Sequence, residues 1–156
     1  MQLTLYTDYS LRVLIYLSLH PDKLVTISEI TDFYEISRNH LVKVVHNLSQ
    51  KGFIESTRGK HGGLRLANEP EAIRVGDVVR ATEPNFNMLA CFDKADEVSC
   101  KVMPVCNLIG VIEQATQQFL GHLDQYTLAD VLAKPPGGIS VVEFLNIGSS
   151  RSGPQG

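Results

Sequence analysis

The chain has 156 residues, 44% of them hydrophobic, and a formal net charge of -3. This length allows one domain with a hydrophobic core and an appended element, so folding requires neither a metal nor a disulfide. The longest apolar run covers only residues 13–17 and the first residues include no basic segment, which predicts a cytoplasmic protein without a membrane span.

The N-terminal half predicts a helix-turn-helix preceded by one buried helix. Residues 8–19 are apolar on most sides of a helix, which is typical of a buried element. Thr26 and Glu29 form a capping box at the start of the next helix. A tight turn follows, with Glu35 at a position where such turns often carry glycine and Ser37 as the predicted N-cap of a third helix.

The third helix, over residues 37–50, is the predicted DNA-recognition helix. Its inner stripe consists of Leu41, Val44, Val45 and Leu48. Its predicted DNA contacts are Ser37, Arg38, Asn39, His40, Lys43 and Asn47. Arginine suits guanine and asparagine suits adenine in the major groove. An ordinary amphipathic surface helix is the alternative interpretation.

A glycine-rich basic hairpin follows the recognition helix. Residues 53–57 and 64–66 alternate as strands around a tip at residues 58–63. We interpret this hairpin as the wing of a winged helix, with Arg58, Lys60 and Gly62 as predicted DNA contacts. Glycines would let the backbone approach a phosphate, and Arg58 suits a narrow minor groove. The alternative is a basic loop with no role in binding.

The charge distribution supports double-stranded DNA as the partner. From Arg38 to Arg65 the chain has six cations and one anion, Glu55, which gives a local charge of +5 inside an acidic protein. A cationic patch neutralises phosphates and releases their counterions. The same charge density would also fit a solvated basic face.

The C-terminal half predicts a short helix over residues 73–83 and a long one over residues 107–123. The apolar stripe of the long helix is wider than one small domain needs, which favours a dimerisation helix over a core helix. The predicted fold class is mainly α with a small β-wing: a winged helix-turn-helix domain plus a long C-terminal dimerisation helix. The predicted divisions are residues 1–84 for DNA binding, 85–106 for a cysteine loop, 107–133 for the dimerisation region and 134–156 for a tail that is flexible at its end.

The loop contains all three cysteines of the chain, Cys91, Cys100 and Cys106. An odd number of cysteines in a reducing compartment argues against a disulfide framework. Eight and five residues separate them, spacings that fit structural zinc poorly and suit an iron–sulfur cluster better. The alternatives are three unrelated thiols or a cysteine nucleophile, although no histidine and carboxylate arrangement is visible in the sequence.

Four segments, at residues 6–9, 37–43, 58–63 and 127–130, together resemble the bacterial Rrf-type winged-helix regulators. The resemblance covers about residues 1–133 and is greatest to the nitric-oxide-sensing repressors of that family. It implies a non-enzymatic homodimer that binds a palindromic operator. It also implies an iron–sulfur cluster near the dimer interface, and nitric oxide as the signal that ends repression of nitric oxide detoxification genes.

The resemblance also bears on the fourth ligand to the cluster. Family members that regulate iron–sulfur cluster assembly genes have a histidine shortly after the third cysteine, whereas Asn107 follows Cys106 here. In the nitric-oxide-sensing members an aspartate of the partner subunit can complete a [4Fe-4S] site, and Asp8 stands at the matching position. A [4Fe-4S] cluster is therefore favoured over [2Fe-2S], with a [2Fe-2S] regulator of cluster assembly as the alternative. Asp8 would otherwise be a plain first-turn carboxylate, and Arg12 is placed to pair with it.

Overall fold

A computed structural model describes residues 2–92, 100–133 and 138–143 of the chain. Within them the structure has six α-helices and one two-stranded antiparallel sheet, which confirms the predicted mainly helical fold with a small wing. The elements are α1 (Leu5–Ser18), α2 (Ile27–Tyr34), α3 (Arg38–Gln50), β1 (Ile54–Thr57), β2 (Gly63–Leu66), α4 (Val75–Thr82), α5 (Leu108–Leu123) and α6 (Leu128–Leu132). None of the helices in the described ranges combines the length and hydropathy needed to span a bilayer. The predicted flexible end of the tail lies outside these ranges.

Helix α1 begins three residues before the predicted start. The Thr4 hydroxyl accepts the N–H of Thr7 at 3.2 Å and so caps the helix at Leu5. The backbone N–H and the hydroxyl of Thr4 both donate to the carboxylate of Glu83, at 2.8 and 3.0 Å. These bonds join the start of α1 to the end of α4, and they place Asp8 within the first turns of a helix rather than at its first residue.

The helix-turn-helix follows the sequence-based prediction closely. The capping box of Thr26 and Glu29 is confirmed, and a hydrogen bond from Lys23, together with bonds from Thr26, lowers the pKa of Glu29 to about 2. Glu35 adopts the left-handed conformation, with φ 54° and ψ 38°, where glycine is the usual residue. Ser37 occupies the N-cap position of α3, but its side chain forms no capping hydrogen bond within the described residues.

The hydrophobic core lies between α1 and the elements around it. Helix α1 packs against α3, α4, α6 and β2, and α2 packs against α3. The fully buried side chains of the core include Val13, Leu14, Ile30, Leu41, Val44, Leu48, Val78 and Leu128. The predicted inner stripe of α3 is therefore confirmed, and its opposite side faces outward.

The wing hairpin pairs Ile54 with Leu66 and Thr57 with Gly63. A third short strand segment, which the sequence analysis did not predict, joins it: Val25 and Leu64 exchange backbone hydrogen bonds of 2.9 and 2.8 Å. A Cβ atom at Gly63 would crowd the backbone of this added segment. The wing is thereby attached to the loop that precedes α2.

Helix α4 begins at Val75, two residues after the predicted start. The backbone of Ile73 is extended because its carbonyl accepts the N–H of Leu128 at 2.9 Å, and Arg74 forms a β-bridge with Thr127. This long-range pairing brings α6 against the core, where Leu128 is fully buried. A pairing between residues so distant in sequence leaves no periodic pattern.

Helix α5 is joined to the rest of the chain mainly through α4. Arg80 donates two hydrogen bonds to the carboxylate of Asp124, at 2.6 and 2.7 Å, and this partner lowers the pKa of Asp124. Gly76 lies against this pair, and a Cβ atom there would displace the Asp124 carboxylate. Over Leu108–Leu123, all within the described ranges, no residue is buried.

Thr26 and Ser37, the N-caps of α2 and α3, provide a matched test of the capping hydrogen bonds. Thr26→Ala removes a capping hydrogen bond, so we expect the free energy of unfolding to fall by about 1 kcal/mol. Ser37→Ala removes a hydroxyl without a capping bond and should change it by less than about 0.5 kcal/mol. Urea denaturation of both variants without DNA measures the difference. Equal losses would contradict the capping assignment.

Candidate nucleic-acid interface and cysteine loop

The outward side of α3 presents most of the predicted DNA contacts. Ser37, Arg38, Asn39, His40 and Lys43 are exposed. Asn47, also a predicted contact, is half-buried, and its Oδ1 atom is buried without a hydrogen-bond partner among the described residues. The amide oxygen of Asn47 is therefore turned toward the protein, because the residue lies at the edge of the buried stripe rather than at the centre of the exposed face.

Arg38 is held in place by a residue that sequence reasoning missed. Its Nη1 atom donates to the hydroxyl of Ser28, on α2, at 2.7 Å. Both side chains are exposed at the junction of the two helices. A polar residue near the start of α2 carries no signal by itself, because only the angle between the helices brings Ser28 to Arg38.

The wing tip is cationic and open to solvent. Arg58, Lys60 and His61 are exposed, and Gly59 has φ 113°, in the region that favours glycine. Gly62 is half-buried, and a Cβ atom there would run into the Thr57 carbonyl of the hairpin itself. The hairpin geometry thus explains Gly62 independently of a phosphate contact, and its role in DNA binding stays a prediction.

All six cationic side chains between Arg38 and Arg65 are exposed to solvent. Arg65 pairs with Glu55, the one anion of the stretch, with Nη2 and Oε2 separated by 2.6 Å. The other five cations of the stretch are Arg38, Lys43, Lys51, Arg58 and Lys60, and all of them are exposed. The pair is neutral, so the net charge of +5 is carried by side chains open to a polyanion.

All three cysteines precede α5 in the chain. Cys91 lies in a 3₁₀ turn, Ala90–Phe92, and is half-buried, as is Cys106, whereas Cys100 is exposed. All three are free thiols. Within residues 2–92, 100–133 and 138–143, no three His, Cys, Asp or Glu side chains are close enough together to hold a metal ion. A single ligand set formed by the three thiols stays a prediction.

The chemistry of the loop nevertheless suits an iron–sulfur group. Cysteine thiolates are the usual ligands of such clusters, and all three thiols are accessible rather than sealed in the core. The N–H of Met103 donates to the Cys100 carbonyl at 3.1 Å, and the N–H of Cys106 donates to the Met103 carbonyl at 3.4 Å. Cys106 directly precedes α5, whose N-cap side chain, Asn107, forms no capping bond within the described residues. Uncapped amides at a helix start favour thiolate and anionic groups.

A cleft of about 560 Å³ opens beside Cys91. Its apolar lining consists of Phe86, Phe92, Met103 and Ile109. The hydroxyl of Thr116, on α5, donates to the Ile112 carbonyl at 2.9 Å and lies 3.6 Å from the sulfur of Met88, so the start of the loop contacts α5. The start of the cysteine loop therefore packs beside α5, the helix that follows the loop in the chain.

Asp8 lies apart from the cysteines, on the exposed side of α1. Its Oδ2 atom accepts from Nε of Arg12 at 2.9 Å, which is the predicted pairing, and both side chains are about two-fifths exposed. The Arg12 guanidinium also lies 5.6 Å from the centre of the Tyr34 ring, on α2. A ligand role for Asp8 requires the cysteines of another subunit and stays a prediction.

Comparisons with known proteins identify the family to which this chain is similar. Residues 3–134 match the Rrf2 family, described as "Iron-dependent Transcriptional regulator". The chain is 47% identical over 145 residues to the HTH-type transcriptional regulator NsrR of Shouchella clausii (strain KSM-K16), covering 92% of this chain and 97% of that protein. It is 49% identical over 133 residues to NsrR of Bacillus subtilis (strain 168), covering 85% and 90% respectively.

Among solved structures, T. potens IscR has the same fold, with a TM-score of 0.62 at 22% identity, over 100% of this chain and 94% of that one. The two NsrR relatives are regulators of transcription rather than enzymes, which confirms the predicted non-enzymatic role. The chain therefore belongs to the Rrf2 family of transcriptional regulators, as one of its NsrR-type members.

Proposed function

We propose that this protein is a homodimeric DNA-binding repressor. It binds an iron–sulfur cluster and dissociates from DNA in response to nitric oxide. The observation that carries the proposal is the layout of the chain: an exposed cationic recognition helix and wing are joined through α4 to a loop of three accessible thiols. The name NsrR of the relatives and the iron dependence of the family point to the same function.

DNA binding is assigned to α3 and the wing. The exposed side of α3 combines Arg38 and Asn39, which suit base edges, with Lys43, which suits phosphate. The wing tip places Arg58 and Lys60 beyond this helix, where they can reach the flanking backbone or the minor groove. The partner proposed for this surface is a palindromic double-stranded operator, because a two-fold dimer presents two identical recognition helices.

Dimerisation is assigned to the outer face of α5. The wide stripe predicted from the sequence is only partly covered by its own chain: Ile112 and Phe119 are half-buried, whereas Leu108 and Val111 are 52% and 59% exposed. Ala115 lies on the same exposed face. An apolar face at positions i, i+3 and i+7 that its own chain leaves open suits a second copy of the same helix.

The cofactor is assigned to Cys91, Cys100 and Cys106, with Asp8 of the partner subunit as the fourth ligand. When bound, an iron–sulfur cluster would supply iron with which nitric oxide reacts. A [4Fe-4S] cluster is favoured over [2Fe-2S], because asparagine rather than histidine follows Cys106. Carboxylate oxygen is a harder donor than thiolate, so Asp8 is the ligand most easily lost from the set. Arg12 is in place to receive a released Asp8, since the two already form an ion pair.

The ligand assignment is tested by Cys91→Ala. We expect the anaerobically reconstituted variant to lose the visible cluster absorbance, and its affinity for a duplex selected from a randomised library by the wild-type protein should fall with it. Met103→Leu, which changes an exposed sulfur side chain of the same loop, should preserve both. A Cys91→Ala protein that lacks the chromophore but binds the duplex with unchanged affinity would reject the coupling between cluster and DNA.

The wing assignment is tested by Arg58→Ala. We expect weaker binding to the same duplex and a salt dependence of log Kd that is shallower by about one unit, because one phosphate contact is lost. The matched control is the double variant E55Q/R65Q, which removes a neutral ion pair from the same hairpin and should leave the slope unchanged. An Arg58→Ala slope equal to that of the wild type would remove Arg58 from the phosphate contacts.

The dimer assignment is tested by Val111→Asp. Placing a charge in the exposed apolar face of α5 should convert the protein to a monomer in sedimentation velocity experiments, because an unpaired buried charge is strongly unfavourable. Gln117→Asp introduces the same charge about 120° around the helix from Val111, on the side that lines the cleft beside Cys91, and should leave the dimer intact. A Val111→Asp protein that remains dimeric would place the interface elsewhere.

A further inference from the structure

The first two turns of α1 contact the recognition helix through two tyrosines. The Tyr6 hydroxyl donates to the backbone carbonyl of Lys43 at 3.2 Å. The Tyr9 ring stacks with the His40 imidazole, with 6.3 Å between centroids and 28° between planes. His40 and Lys43 are exposed residues of the DNA-facing side of α3. The tyrosines therefore lie directly behind residues that are proposed to meet DNA.

These contacts border a small cleft at the edge of the packed core, against which both tyrosines pack. Leu5, Tyr6, Tyr9, His40, Lys43 and Val44 line a space of about 220 Å³ between the two helices. The Tyr6 hydroxyl, whose pKa is raised by burial, is a donor at neutral pH as any tyrosine is. In addition to the core packing between the two helices, one hydrogen bond and one ring stack hold the N-terminal turns of α1 against exposed residues of α3.

Asp8 also lies in the first two turns of α1, on a different side of the helix from Tyr6 and Tyr9. At about 100° per residue, the side chain of Asp8 is roughly 100° from Tyr9 and roughly 200° from Tyr6 around the helix axis. A helix turn is rigid over this distance, so any displacement or rotation of α1 at Asp8 also moves the tyrosines against α3. Asp8 faces outward and pairs only one turn further along, with Arg12.

The start of α1 is also attached to the base of the cysteine loop. Thr4 donates two hydrogen bonds to Glu83, which lies two residues before the cysteine loop of residues 85–106. Beneath it the Thr82 hydroxyl donates to the hydroxyl of Thr7 at 2.9 Å, and both residues are buried. The N-terminal turns of α1 therefore lie between the cysteine loop on one side and the recognition helix on the other.

We infer that Tyr6 and Tyr9 are positioning residues that transmit the state of the cysteine-loop site to the recognition helix through their contacts with Lys43 and His40. This inference rests on the proposed function. It assigns to the tyrosines no contact with the cofactor or with DNA. Their removal should therefore leave cluster binding and the DNA affinity of the cluster-free protein intact, and should reduce the effect of the cluster on DNA affinity.

The experiment compares operator affinity of cluster-loaded and cluster-stripped protein under anaerobic conditions, using the selected duplex. For Tyr6→Phe and Tyr9→Leu we expect the visible spectrum and the iron content of the loaded protein to match the wild type. The affinity of the loaded protein should fall by about threefold to tenfold, the range that one hydrogen bond accounts for, while that of the stripped protein stays unchanged. The ratio of the two affinities therefore shrinks.

Tyr16→Phe is the matched control. Tyr16 lies on the same helix, but its ring packs against Phe33 of α2, at 5.0 Å between centroids, rather than against α3. We expect this variant to keep the wild-type ratio of affinities. Thermal denaturation of the stripped proteins separates coupling from stability, because a positioning role predicts unchanged melting temperatures for Tyr6→Phe.

Three results would overturn the inference, and they are distinguishable. If Tyr6→Phe and Tyr9→Leu keep the wild-type ratio, the tyrosines transmit nothing. If loaded and stripped forms of the variants weaken equally and their melting temperatures fall, the contacts are structural. If wild-type protein binds the duplex equally well in both forms, the proposed function itself fails and this inference fails with it.

Discussion

The packing of α1 against its neighbours is the constraint on which the rest of the structure depends. Val13, Leu14 and Leu17 are essentially fully buried against the core formed with α3 and α6, and each contributes about 1.5 to 3 kcal/mol of burial free energy. At its N-terminus the helix is joined to α4 by the bonds between Thr4 and Glu83. One helix therefore sets the position of the recognition helix relative to the base of the cysteine loop.

Helix α5 contrasts with α1 in how it is held. Its attachment to α4 includes the ion pair of Arg80 and Asp124, at the far end of the helix from Cys106. Leu108 and Val111, near the cysteine end, are more than half exposed. Burial within its own chain thus does little to hold that end, and contacts with a second copy would contribute much of the free energy that orders it. This arrangement is consistent with a cysteine loop whose ligand set is completed only in the dimer.

The uneven charge distribution determines which face of the molecule is attracted to DNA. The segment from Arg38 to Arg65 carries +5 while the whole chain carries -3, so the remainder carries -8. The cationic face attracts the phosphate backbone, and the acidic remainder is repelled from it. Because Arg65 is already paired with Glu55, the attraction comes chiefly from α3 and the wing tip. Electrostatics alone therefore orient the domain before any base is contacted.

The sequence by itself determined the features that depend on residues within about four positions of each other. The capping box at Thr26 and the buried stripe of α3 are such features, because helix geometry joins near neighbours in sequence. The cysteine spacing likewise identified the candidate donors, but spacing does not fix the distances between thiols. Only the tertiary structure decided the features whose partners are far apart in the chain: Thr4 with Glu83, Val25 with Leu64, Arg38 with Ser28, and the inward turn of Asn47. These contacts depend on how whole helices pack, and packing of the core determines that arrangement rather than any local pattern.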